Sequence, residues 1–174
     1  MDPVVSDANI DLGYRYRSTA VITDGDDHGE VQGDPRESGG RAGTRAPHHA
    51  IGGKEGRIST LDLFGRNFVL LTGPDQPLWR DRARRAEEEL NIQIDVHSIG
   101  DTGDYSDTAG GFSDAYGISA AGAVLIRPDG FVAWRAATDA HTAPSLTAVL
   151  TTLLGHSTRP RTPDAEAFSQ PLPV

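Results

Sequence analysis

Residues 121–136, Ala-Gly-Ala-Val-Leu-Ile-Arg-Pro-Asp-Gly-Phe-Val-Ala-Trp-Arg-Ala, constrain the fold more than any other stretch of the chain. They predict a β-hairpin. Pro128 pre-sets φ at the second turn position, Asp129 tolerates the third, and Gly130 takes the left-handed conformation that closes the turn. On the first strand Ala123 and Leu125 point one way and Val124 and Ile126 the other. A strand that is apolar on both faces belongs inside a sheet covered on each side, not at a half-wet edge.

The remaining segments supply the covering layers. Tyr14, Tyr16, Thr19 and Val21 give residues 11–23 the propensity of a strand. The polar, glycine-rich stretch 24–46 reads as a flexible linker or an extended arm. Ser59–Phe64 is a short strand or turn, and Phe68–Thr72 a buried strand stopped by Gly73 and Pro74. Over Leu78–Leu90, Trp79, Ala83, Ala86 and Leu90 share one face of a helix, and Arg82, Arg84, Arg85, Glu87, Glu88 and Glu89 take the other. Ile92–Ile99 predicts the next strand, residues 100–117 a polar loop with a short helix around Phe112–Tyr116, and Leu146–Leu154 the last helix. The expected division is an N-terminal strand and arm over 1–56, a packed domain over 57–155, and a disordered tail over 156–174. Strand, helix, strand, loop, strand, strand, helix is the thioredoxin-like order: an α/β fold with a central sheet flanked by helices and preceded by an extended arm.

Composition narrows what such a fold can do. The chain has no cysteine, which excludes disulfides, thiol nucleophiles, thiolate metal sites and dithiol redox chemistry. In a thioredoxin-like layout the redox segment would follow the strand ending at Thr72. Here that segment reads Gly-Pro-Asp-Gln-Pro, without sulfur. A formal net charge of −9 repels phosphate backbones and anionic lipid, so neither nucleic acid nor a membrane surface is an expected partner. Met1–Ile10 carries neither the basic nor the apolar region of a secretory signal, and a cytoplasmic location is expected.

The motif search is equally restrictive. His48 and His49 are adjacent, so an extended backbone sends them in opposite directions. The acidic run Asp24–Gly29 places His28 and Pro35 where a calcium loop needs oxygen ligands. The acidic loop carrying Asp101, Asp104, Asp107 and Asp114 reads as solvated, with transient cation binding as the lesser alternative. No Gly-x-Ser-x-Gly elbow is present, and no serine lies at a suggestive position relative to a histidine. No Gly-x-Gly-x-x-Gly or Walker A run opens a helix, so no flavin or nicotinamide site is expected. Catalytic, cofactor and metal residues are therefore all expected to be none. Arg66, Arg127 and Arg135 flank apolar strands, where they either solvate strand ends and pair with Asp62 or Asp129, or clamp a carboxylate or stack on Trp134. Trp79 and Trp134 read as core.

Three segments together resemble a known family: Arg45-Ala-Pro-His48, residues 59–71 (Ser-Thr-Leu-Asp-Leu-Phe-Gly-Arg-Asn-Phe-Val-Leu-Leu), and residues 122–135 of the hairpin. Residues 11–18, Asp-Leu-Gly-Tyr-Arg-Tyr-Arg-Ser, fit as well. The resemblance is to the C-terminal part of FAD-dependent aromatic hydroxylases, the class A flavin monooxygenases that tailor aromatic polyketides in antibiotic biosynthesis in actinomycetes and include rifampicin monooxygenase-like enzymes. It spans residues 11–155. It implies a thioredoxin-like domain without redox cysteines, appended to flavin and substrate domains. FAD belongs to those other domains, and none of the family's flavin motifs has a position here.

Three functional readings follow. In the first, the chain is a non-redox auxiliary domain acting with a flavin hydroxylase or another biosynthetic enzyme, its arm pairing with that partner or with a second copy of itself. In the second it is a cofactor-free enzyme or small-molecule binder for an aromatic polyketide intermediate, using a pocket between arm and sheet. In the third it is a truncated gene product. The residues expected to touch a ligand or partner are His48, Arg66, Phe131, Trp134 and Arg135.

Overall fold

The computed structural model describes residues 13–23, 38–74 and 76–155. Ala50–Gly53 (β1) and Gly56–Ser59 (β2) pair as a small hairpin, and a 3-10 turn follows at Thr60–Leu63. Then come Phe68–Thr72 (β3), Pro77–Leu90 (α1), Ile94–Ser98 (β4), Phe112–Tyr116 (α2), Ala123–Ile126 (β5), Val132–Ala136 (β6) and Leu146–Leu153 (α3). The four later strands form one sheet in the order β4-β3-β5-β6. β3 and β4 run parallel, while β5 is antiparallel to both β3 and β6. This is the thioredoxin-like arrangement, reached through one β-α-β crossover and one hairpin.

The 121–136 hairpin forms as its residues predict. Gly130, at φ +82°, donates its N–H to the Arg127 carbonyl at 2.9 Å and closes the turn. The register slips between Leu125 and Ile126, which face Trp134 and Val132. That bulge puts Ala133 and Trp134 on the same face of the sheet.

The alternation of β3 and β5 builds two cores. Leu70 and Leu125 pack with Trp79, Ala83 and Ala86 of α1 and with Val149, Leu150 and Leu153 of α3. Trp79 is fully buried, donates its indole N–H to the Ala121 carbonyl at 2.9 Å, and meets Trp134 edge-on at 5.9 Å. Both tryptophans are core, as expected. On the opposite face Val69, Leu71, Val124 and Ile126 pack with Phe112 and Tyr116 of α2, Ile51 of β1, and Val21, Ala42 and Ala46. Full burial of side chains of this size contributes about 1.5–3 kcal/mol each, which makes the two cores the main source of stability.

The structure corrects the sequence reading at the N-terminal side. Residues 13–23 are not a strand; Tyr14 makes only an isolated bridge, and both Tyr14 and Tyr16 stand exposed. The expected linker, over its described part 38–46, is a packed segment rather than a flexible one. It runs along the outer edge of β6, where Gly43 N–H donates to the Val132 carbonyl and Val132 N–H to the Thr44 carbonyl, at 2.8 and 2.9 Å. Ile22 N–H donates to Ala133 in the same way. Gly43 explains why glycine is needed there: at φ +90° it lies so close to Tyr16 that a Cβ would overlap the Tyr16 carbonyl. The expected tail, 156–174, and residues 24–37 lie outside the described residues. No helix among the described residues is long and apolar enough to cross a membrane.

Candidate functional site

β4 is the other edge of the sheet, and side chains close it. The Ile94 N–H donates to a Glu87 carboxylate oxygen at 2.8 Å, and the Ser98 N–H to Asp104 Oδ2 at 2.8 Å. Asp104 also accepts from the Ser98 hydroxyl and from the Arg80 guanidinium, and its own N–H donates to Ser98 Oγ at 3.0 Å. Burial alone would raise the Asp104 carboxyl, but the Ser98 and Arg80 hydrogen bonds overcome it and hold the group below the usual carboxylate value. The loop after β4 thus folds back on its own strand. Tyr105 N–H donates to the Ser98 carbonyl, and Gly52 exchanges both backbone bonds with Ser106, tying the β1–β2 hairpin to the same loop.

This closure leaves a groove of about 650 Å³ between the β1–β2 turn and β4, lined by Lys54, Ile58, Val96, His97, Asp104 and Tyr105 among others. His97 is half-buried and its ring meets the Tyr105 ring edge-on at 5.5 Å. Burial pushes the His97 imidazole below its ordinary value, Asp104 and Asp95 pull the other way, and Arg80 adds to the lowering. At neutral pH the ring is therefore uncharged, with one nitrogen free to accept a hydrogen bond.

A second titratable pair lies on the far side of the same loop. His49 is buried, with Nε2 2.6 Å from Asp107 Oδ1, while Asp107 Oδ2 accepts the Phe112 N–H at 3.0 Å and caps α2. Burial raises Asp107 less than its hydrogen bonds to His49 and the Phe112 backbone lower it, so it too is held below the usual value. Next to this pair Tyr116 donates its hydroxyl to the Pro47 carbonyl at 2.8 Å, and burial drives its phenol well above the ordinary range. Two of the four aspartates in a loop expected to be solvated are thus structural anchors. No cluster capable of holding a metal ion occurs among the described residues.

The expected contact residues are not brought together. His48 and His49 diverge, as an extended backbone requires: His48 is exposed with Nδ1 2.6 Å from Ser59 Oγ, and His49 is buried. Ser59 and His48, 11 positions apart, meet only in the folded chain. Ser59 Oγ also accepts the Leu61 N–H as a helix cap, and no carboxylate bonds His48 among the described residues, so the pair lacks a nucleophile's support. Arg66 is exposed in the turn before β3. Trp134 and Arg135 leave β6 on opposite faces; Arg135 donates to the Gly39 carbonyl at 2.9 Å. Phe131 lies at the hairpin tip, where Tyr16 meets it edge-on at 4.8 Å and the Arg45 guanidinium covers it at 4.8 Å. The His97 groove was not legible in the sequence, since its walls come from residues 53–58, 96–97 and 103–105.

The turn between β3 and α1 does not fit a dinucleotide. Gly73 packs so tightly that a Cβ would overlap the Ala120 carbonyl, and Pro77 removes an N–H from the first turn of α1. A pyrophosphate needs both space and free N–H groups there.

A cysteine-free thioredoxin-like domain with its β6 edge wrapped by its own N-terminal segment is the class of protein defined by this fold. The chain belongs to the aromatic-ring hydroxylase C-terminal family, whose model matches residues 39–157. It is 47% identical over 135 residues to 4-methyl-5-nitrocatechol 5-monooxygenase of a Burkholderia species, covering 76% of this chain and 25% of that protein. It is 40% identical over 146 residues to aklavinone 12-hydroxylase RdmE of Streptomyces purpurascens, covering 82% and 26%. Among solved structures, aklavinone-11 hydroxylase with FAD and aklavinone superposes with a TM-score of 0.77 at 37% identity, over 87% of this chain and 28% of that one. The chain spans about a quarter of the length of these relatives.

Proposed function

We propose that this chain is a non-redox auxiliary module that docks onto the flavin- and substrate-binding body of an FAD-dependent aromatic hydroxylase. The observation that carries the reading is a ladder of rings at the hairpin tip, with Tyr14 and Tyr16 exposed and Phe131 buried beneath them. Tyr14 meets Tyr16 edge-on at 5.1 Å, and Tyr16 meets Phe131. The Arg45 and Arg127 guanidinium groups sit over Phe131 and Tyr16. Tyrosine and arginine are the residues that most often anchor protein interfaces, and here they gather on a chain whose net charge is −9. The names of the relatives, a nitrocatechol monooxygenase and an aklavinone hydroxylase, support an aromatic or polyketide substrate for the hydroxylase. The reading places the chain in the cytoplasm and assigns FAD to the partner.

The test is reconstitution. A hydroxylase of this family, trimmed of its own corresponding domain, is mixed with residues 1–174 at micromolar concentration. Co-elution and a changed hydroxylation rate are expected. Clean separation with unchanged kinetics would sink the reading, and a symmetric dimer of the chain alone would assign the ladder to self-association instead.

A further inference from the structure

We propose that the groove between the β1–β2 turn and β4 is a binding site for a small phenolic ligand, with His97, Tyr105 and Lys54 as its polar contacts. The inference is independent of the docking reading, because the groove and the ring ladder are built from different elements.

The first support is the state of the polar groups. The ring nitrogens of His97, the hydroxyl of Tyr105 and the ammonium of Lys54 have no hydrogen-bond partner among the described residues. Asp104, in the same wall, is fully engaged by Ser98 and Arg80. His97 and Tyr105 are half-buried and Lys54 stands exposed at the rim, so all three polar groups line one concavity and are open to a bound molecule. The volume of about 650 Å³ lies within the range of small-molecule sites.

The chemistry of the walls selects the ligand class. Ile58 and Val96 with the face of Tyr105 offer an apolar slot suited to a flat ring. His97 is neutral at pH 7 and presents a bare nitrogen, which accepts a hydroxyl proton and does not demand a carboxylate. Lys54 and Arg80 stand against Glu55, Asp104 and Asp95, so no excess of positive charge around the groove draws in an anion. A ring with one or two hydroxyl groups meets all three conditions. Lys54 at the mouth would donate to the hydroxyl oxygen and favour its ionised form.

Lys54 is the only lysine in the chain, which makes the site easy to test. 4-Nitrocatechol is titrated into residues 1–174, read by its phenol-to-phenolate absorbance and by the NMR signals of the His97 imidazole. Saturable one-site binding that moves the His97 signals is expected, with no such response to nitrobenzene, which lacks the hydroxyls, or to cyclohexanol, which lacks the aromatic ring. Occupancy should also slow acetylation of Lys54 by acetic anhydride, with the N-terminal amine as internal control. His97→Gln and Tyr105→Ala should each weaken binding about tenfold, the worth of one good hydrogen bond or ring contact. Lys54→Ala should mainly reduce the bound phenolate fraction. Failure to saturate would overturn the proposal. So would binding that leaves both the His97 signals and the Lys54 acetylation rate where they were, an outcome that does not depend on any variant folding.

Discussion

The two edges of the sheet are protected in opposite ways. At β6 the chain's own backbone does it: Gly43, Thr44 and Ile22 pair with Val132 and Ala133, extending the hydrogen-bonded surface outward. At β4 two carboxylates do most of it, Glu87 on the Ile94 N–H and Asp104 on the Ser98 N–H, and the backbone of Tyr105 pairs only at the strand's end. An open edge is a template for unwanted pairing, and both devices remove it. They leave different surfaces behind. Backbone pairing at β6 carries an aromatic ladder to the solvent, whereas side-chain capping at β4 leaves a concave groove with unpaired polar groups. The first is the surface we propose meets another protein, and the second the one we propose holds a small molecule.

The largest expected effect is at β6. Phe131→Ala removes a buried ring that Tyr16 and Arg45 pack against, and should cost about 3 kcal/mol of unfolding free energy in a urea titration. A loss below about 1 kcal/mol, the level of a surface change, would mean that the N-terminal segment does not depend on that ring. At β4, Asp104→Asn leaves the Ser98 N–H and Arg80 with a weaker acceptor. Because the carboxylate is half exposed, the expected loss is only about 1 kcal/mol.

Acid titration separates the groups at β4 further. His97 has a lowered value in the folded state, so the unfolded chain takes up its proton first as the pH falls. Stability should decline from about pH 6.5 downward, and His97→Gln should remove that slope. Asp104 and Asp107 are also lowered, and their contribution is present above the unfolded carboxylate value of 3.8 and lost as the pH falls through the folded values. Chemical denaturation at several pH values should show two separate declines, and a single one below pH 4 would remove the groove histidine from the account. The smallest effect is that of Arg127→Ala, about 0.5 kcal/mol, because its guanidinium rests over an exposed tyrosine and pairs with an exposed Asp129. If the ladder is a docking surface, this variant should nevertheless weaken the complex with a hydroxylase far more than it weakens the fold.

The parts of the fold that were legible in the sequence are those with strong local patterning. β3, α1, the short α2, the hairpin and α3 fall within one or two residues of their expected bounds, because apolar spacing and turn residues act over a few positions. β1 and β2 were missed because their residues, Ala-Ile-Gly-Gly and Gly-Arg-Ile-Ser, show no alternation. Glycine is there for contact, not propensity: a Cβ at Gly52 would overlap the Ser106 side chain. Residues 38–46 looked like a linker for a similar reason, since small residues such as Ala42 are what a segment lying flat on a sheet edge and its core requires.

The sequence by itself determined the hairpin, the two-sided burial of its first strand, the thioredoxin-like order and the absence of thiol chemistry. Each depends on residue type or on neighbours within a few positions. Only the tertiary structure decided that Asp107 caps α2 while bonding His49, 58 positions away, and that Asp104 closes the edge beside His97. Aspartates in a polar loop have one appearance in sequence whether they face water or a buried partner. The choice is made by chain reversals that bring distant segments within hydrogen-bond reach, and no local pattern encodes it.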